Sequence, residues 1–162
     1  MDNLMQEFPL RVSNIIDHAA RYHGQRKVIA RSVEGPITKT NWEQIQGKAK
    51  KLAKALIRLK IQKGDVIGVM AWNTSRHLEV VYGVPGCGAV NHTLNPRLFS
   101  EQLIYIINHA EDKILMVDLD LVPVIEKIIN QCPMIDHVIV MTNKESMPNS
   151  NLQNLLCYEE IV

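Results

Sequence analysis

The stretch from Val66 to Leu98, VIGVMAWNTSRHLEVVYGVPGCGAVNHTLNPRL, limits what this chain can fold into more than any other. Val66 to Ala71 is a short apolar run with almost no polar relief, as in a strand covered on both faces. Asn73, Thr74 and Ser75 are residues that cap helices, and a helical segment runs from them to about Cys87. Ala89 and Val90 start a second strand, and His92 to Arg97 reads as a polar loop. Strand, helix and strand make a βαβ unit with a right-handed crossover. Ligands of such sheets sit at the carboxyl ends of the strands. Trp72, Asn73 and the His92–Arg97 loop therefore fall at the expected functional rim.

The same alternation continues downstream. Pro96 holds Asn95 extended, Ser100 is placed to cap a helix, and Leu103, Ile106, Ile107 and Ala110 form its buried face. Ile114–Val117 and His137–Met141 read as strands. Asp118 or Asp120 is placed to cap the helix between them, with Pro123 in its first turn. Upstream, a helix is expected over Ser13–His23, a hairpin over Val28–Thr40, and a long helix from a Thr40–Glu43 capping box to about Lys60. Residues 1–10 read as an irregular entry segment and 11–162 as one α/β subdomain. The expected fold is α/β, a mostly parallel sheet with helices on both faces, plus the N-terminal hairpin.

Several function classes lose support on composition. Hydrophobic residues make up 46% and charged residues 22%, as in ordinary globular domains. The formal net charge of +1 gives no general attraction to nucleic acid or anionic lipid. The lysines on the open face of the long helix lack interleaved aromatics, so a solvated face is expected there. No apolar run approaches the ~20 residues that span a bilayer. Residues 1–10 lack the basic and apolar regions of a signal peptide. Cys87, Cys132 and Cys157 are widely spaced, which fits reduced thiols and a cytoplasmic setting and offers no metal-ligand spacing. Gly83, Gly86 and Gly88 end a helix rather than open one, so a packing role is expected and the dinucleotide fingerprint is absent. From residues alone, the candidates are His92 at a strand end, Trp72 at the same edge, and Arg97, either in a surface ion pair or on an anionic ligand.

Ala71-Trp72-Asn73-Thr-Ser-Arg-His77-Leu-Glu79, followed by Gly86-Cys-Gly88-Ala89-Val-Asn-His92-Thr-Leu-Asn95-Pro96-Arg97-Leu98, resembles the N-terminal domain of AMP-forming acyl-CoA synthetases, medium- and long-chain branch. Lys63-Gly64-Asp65-Val66 and Gln102–Asp112 extend the resemblance, which covers about residues 10–162. It implies a ligase that joins fatty acid to CoA through an acyl-adenylate, using ATP, CoA and Mg. It implies that Arg97, and more weakly Asn95 and His92, border the CoA channel, with Trp72 and Asn73 at the rim or acyl channel. Self-association as a homodimer is also implied. The family's Ser/Thr/Gly-rich phosphate loop ending in lysine is missing, as are its ribose-binding aspartate, magnesium-binding glutamate motif and catalytic lysine. No catalytic residue is therefore assigned, and no tightly bound cofactor or metal is expected. The chain ends about where the phosphate loop would begin, so this piece alone is expected to be inactive. A stand-alone, non-catalytic module that binds acyl-CoA or CoA, or self-associates, is the other reading.

Overall fold

The computed structural model describes residues 8–162. Residues 1–7 of the expected entry segment lie outside the described residues, and residues 8–11 carry no regular structure. Helix α1 (Val12–His23) leads into an antiparallel hairpin of β1 (Lys27–Arg31) and β2 (Ile37–Asn41). Helix α2 (Trp42–Arg58) follows directly. Pairing of Asn41 with Lys27 keeps Asn41 extended, so it becomes the last residue before the helix. Its side chain accepts from the Gln44 N–H at 2.9 Å, and it is therefore the cap in place of Thr40. The Thr40 hydroxyl instead donates to the Gln44 side chain.

A five-stranded parallel sheet forms the centre, in the spatial order β4-β3-β5-β6-β7. Its strands are β3 (Val66–Met70), β4 (Val90–Thr93), β5 (Asp112–Val117), β6 (His137–Val140) and β7 (Leu155–Cys157). The connecting helices are α3 (Ser75–Gly86), α4 (Ser100–Ala110) and α5 (Val122–Ile128), and α6 (Tyr158–Ile161) follows β7. Ile67, Val69, Ile114, Met116 and Ile139 point to one face, where Leu52 and Leu56 of α2 and Val80 and Val84 of α3 cover them. Met70, Leu115, Val117 and Val138 point to the other, under Leu103 and Ile107 of α4 and Ile125 and Ile128 of α5. Each such side chain contributes about 1.5–3 kcal/mol through burial.

Gly83 has the expected packing role. A Cβ there would sit 2.9 Å from the Ala49 carbonyl oxygen and 2.8 Å from a Leu52 methyl, so α3 lies against α2 only because the side chain is missing. Several elements differ from expectation. His92 and Thr93 belong to β4, because Gly68 and Val69 of β3 offer them partners. Phe99 holds the cap position of α4, and the Gln102 side chain accepts its N–H, so Ser100 is already helical. A fifth strand, β7, is only three residues long, too short for alternation to announce it.

Candidate functional site

The chain leaves β3 toward β4 on one side, then returns to lay β5 on the other. Opposite departures open a crevice at the carboxyl ends of β3 and β5, where open α/β sheets hold ligands. Trp72 stands just beyond β3 and Asp118 just beyond β5. The Asp118 N–H donates to the Met70 carbonyl at 3.0 Å. In return its carboxylate accepts the Trp72 backbone N–H at 2.6 Å. The indole Nε1–H donates to the Asp120 carboxylate at 2.9 Å. Asp118 and Asp120 thus secure the rim tryptophan and do not cap the following helix, where no side-chain cap bond forms. Asp118 is 1% exposed. Burial pushes its carboxyl up to about 6; the Trp72 N–H and Arg76 pull down, while Asp120 and Glu34 push up. His77, at the start of α3, is held below its usual range by burial, partly offset by a hydrogen bond to the Trp72 backbone. Thr74 caps α3 by accepting the His77 N–H, and Asn73 is exposed beside it.

A partly buried ionic node lies next to this rim. Arg76 Nη1 donates to Glu34 Oε1 at 2.7 Å and to the Met141 carbonyl at 3.0 Å, and Nε donates to Glu159 Oε1 at 3.0 Å. The Thr142 hydroxyl donates to the same Glu34 oxygen, and Lys48 Nζ reaches Glu159 at 2.9 Å. Burial raises Glu34, yet hydrogen bonds from Thr142, its own backbone and Arg76 outweigh it and hold the carboxylate below its ordinary value. Burial also raises Glu159, and bonds from Lys48 and Arg76 overcome it in the same way. Glu79 has no comparable relief. Burial raises it against the pull of Lys48, and Tyr158 donates its hydroxyl to it at 2.8 Å. A cavity of about 490 Å³ opens beside the node, lined by Gln44, Gly47, Lys51 and Thr74 among others.

His92 lies elsewhere. It is level with Gly68, four residues before Trp72, or about 13 Å back along the strand direction. Its Nδ1 is 2.9 Å from a carboxylate oxygen of the fully buried Asp112, across the bare backbone of Gly68. A Cβ on Gly68 would come within 2.7 Å of that carboxylate. Burial raises Asp112, and the His92 contact lowers it. Asn95 and Arg97 leave β4 at the same carboxyl end as Trp72, one strand over. The Asn95 side chain accepts the Arg97 N–H at 3.0 Å, and the Arg97 guanidinium is exposed. The rim therefore gathers Trp72, Asn73, Asn95 and Arg97 at one end of the sheet, while the His92 imidazole faces inward. Sequence reasoning missed Asp118, His77 and Arg76; an acidic residue directly after the Ile114–Val117 run was the available signal for Asp118.

These elements define an open parallel α/β unit. The model of the AMP-binding enzyme family matches residues 16–157, and the chain belongs to that family. It is 42% identical over 158 residues to the 3-methylmercaptopropionyl-CoA ligase of Ruegeria lacuscaerulensis, covering 98% of this chain and 29% of that protein. It is 39% identical to the medium-chain-fatty-acid–CoA ligase of Ectopseudomonas oleovorans, with the same coverage. The chain thus spans less than a third of the length of these relatives. Its fold is shared with the anthranilate CoA ligase AuaEII, solved in complex with anthranoyl-AMP, at a TM-score of 0.80 and 18% identity over 97% of this chain and 29% of that one. Among the described residues no helix is long and apolar enough to cross a membrane.

Proposed function

We propose that residues 11–162 supply the N-terminal α/β unit of an ATP-dependent fatty acyl-CoA ligase. Such a ligase converts fatty acid, ATP and CoA to acyl-CoA, AMP and diphosphate. The observation that carries this reading is the likeness, over 98% of the chain, to two ligases named for joining an acid to CoA. In this reading the rim lines part of the substrate cavity and Arg97 meets an anionic portion of CoA. Asn95 orients the Arg97 backbone, His92 braces β4 from within, and Trp72 and Asn73 stand at the acyl side. Phosphoryl-type chemistry needs concentrated positive charge at the transferring group. At the β3–β5 crevice the near cation, Arg76, is already committed to Glu34 and Glu159. The unit alone is therefore assigned no adenylation activity, and the work is cytoplasmic.

A graft tests this. Residues 11–162 replace the matching portion of the Ectopseudomonas oleovorans ligase, and acyl-CoA formation is measured. Activity within roughly tenfold of the parent supports the assignment. A folded graft that forms neither acyl-AMP nor acyl-CoA refutes it. In the active graft, Arg97→Ala raises the KM for CoA more than that for ATP; equal effects remove Arg97 from the CoA side. The 162-residue chain by itself releases no AMP from ATP with fatty acid and CoA.

A further inference from the structure

The rim tryptophan is held in an unusual way. Its main chain and its indole are each fixed by a different carboxylate, and both carboxylates follow β5 rather than β3. Asp118 takes the Trp72 N–H at 2.6 Å, and Asp120 takes the indole N–H at 2.9 Å. Nothing in β3 itself dictates where the indole lies. Its position across the crevice is set by the neighbouring strand's exit. Asp118 is fully enclosed, and its carboxylate is bonded to the Trp72 N–H, so a change in its charge acts directly on that peptide.

We propose that Asp118 is a positioning residue of the rim, a proton-responsive latch that ties the ends of β3 and β5 together and sets the Trp72 indole across the crevice. The anionic carboxylate draws the Trp72 N–H down and holds the indole against Asp120. The neutral carboxyl is a weaker acceptor, so gain of a proton loosens the Trp72 peptide and with it the reach of the indole to Asp120, while the Asp118 N–H stays on the Met70 carbonyl. The latch operates in a crowded electrostatic setting. Asp120 from the turn after β5, Glu34 from the hairpin and Arg76 from α3 act on it among the described residues, and His77 of α3 bonds the same Trp72 backbone. Burial is the main push of Asp118 toward the neutral form; Asp120 and Glu34 add to it, the Trp72 N–H and Arg76 oppose it, and the balance brings the change into the mildly acidic range. The role in ligand handling rests on the strand-end rim proposed above. The latch itself can be read without any ligand.

The chain has two tryptophans, and Trp42→Phe leaves Trp72 as the sole indole. Its emission is followed from pH 8 to 4.5. The expected result is one transition to longer wavelength with a midpoint about 6. Asp118→Asn abolishes the transition, and Asp120→Asn lowers its midpoint because a like charge is removed. Overturning results are a transition that survives Asp118→Asn unchanged, one that vanishes instead with His77→Gln, or no transition at all. Should Asp118→Asn fail to fold, the Asp118 carboxyl carbon resonance in the parent decides. Titration near 6 that coincides with the Trp72 emission change upholds the latch; titration in the ordinary aspartate range, or with no accompanying emission change, ends it. Failure here leaves the ligase assignment standing, since the graft assay does not depend on it.

Discussion

Replacing Arg76 by Met removes the cation that joins the hairpin, the end of β6 and α6. Its guanidinium is 17% exposed, and the Glu34 and Glu159 side chains are 13% and 29% exposed. Removing one partner of a buried ionic set costs about 3–5 kcal/mol, because carboxylates stay behind without compensation. Here the set is only partly buried, Glu34 keeps Thr142 and Glu159 keeps Lys48, so the loss falls between the exposed and buried cases, about 2 kcal/mol. For a chain of this length that loss lowers Tm by roughly 6 °C. The sign with pH follows from the carboxylates. Glu34 and Glu159 are held below their ordinary values, so their stabilisation is present above the unfolded value near 4.5 and is lost as pH falls through the lower folded values. Calorimetric melts of parent and Arg76→Met should therefore differ widely at neutral pH and converge as the pH falls below 4.5. A drop under about 2 °C at neutral pH, or a gap that does not narrow in acid, refutes the claim that Arg76 compensates both acids.

Asp118 behaves oppositely. Its folded value lies above its unfolded value, so its favourable share is complete below about 4 and is lost as pH rises through about 6. The rise from 3.8 to about 6 corresponds to about 3 kcal/mol at most. Asp118→Asn should flatten the stability curve between pH 4 and 7 in denaturant titrations; an unchanged slope argues against the burial account. Gly68→Ala inserts a Cβ within 2.7 Å of the Asp112 carboxylate, separating it from His92. A loss of about 2 kcal/mol or more is expected by urea unfolding, and a neutral result would mean the pair can shift aside. Gly47, inside α2, has nothing within 4 Å of a built Cβ, so Gly47→Ala should stabilise by about 1 kcal/mol in the same assay. Destabilisation there would show that the backbone needs glycine.

What could be read from sequence was what local spacing encodes. Ile45, Ala49, Leu52 and Leu56 lie on one side of a helix by arithmetic alone, and all are buried. Val66–Met70 and Ile114–Val117 announce doubly covered strands because almost every residue is apolar. The site was less legible because its bonds span long stretches of chain. Asp118 meets Trp72 across 46 positions, and Arg76 meets Glu159 across 83. No local pattern marks an aspartate as the partner of a distant peptide, so a capping role was the natural expectation for Asp118. His92 was misplaced for a related reason: a polar residue after a strand looks like loop until a bare Gly68 and a buried Asp112 are seen beside it.

The charge distribution at the rim then decides between its two sides. The β5 side carries Asp118 and Asp120, with Glu34 close behind, and among the described residues the cation acting there, Arg76, is spent on two carboxylates. A phosphate or carboxylate approaching there meets like charge. The β4 side carries the exposed guanidinium of Arg97, presented by a loop whose backbone Asn95 fixes. In the proposed ligase an anionic substrate arm would therefore lie at β4 and an uncharged one beside Trp72. This is the division of labour assumed in placing CoA near Arg97. Under that proposal, exchanging Arg97 alters the CoA requirement and leaves the tryptophan side unaffected.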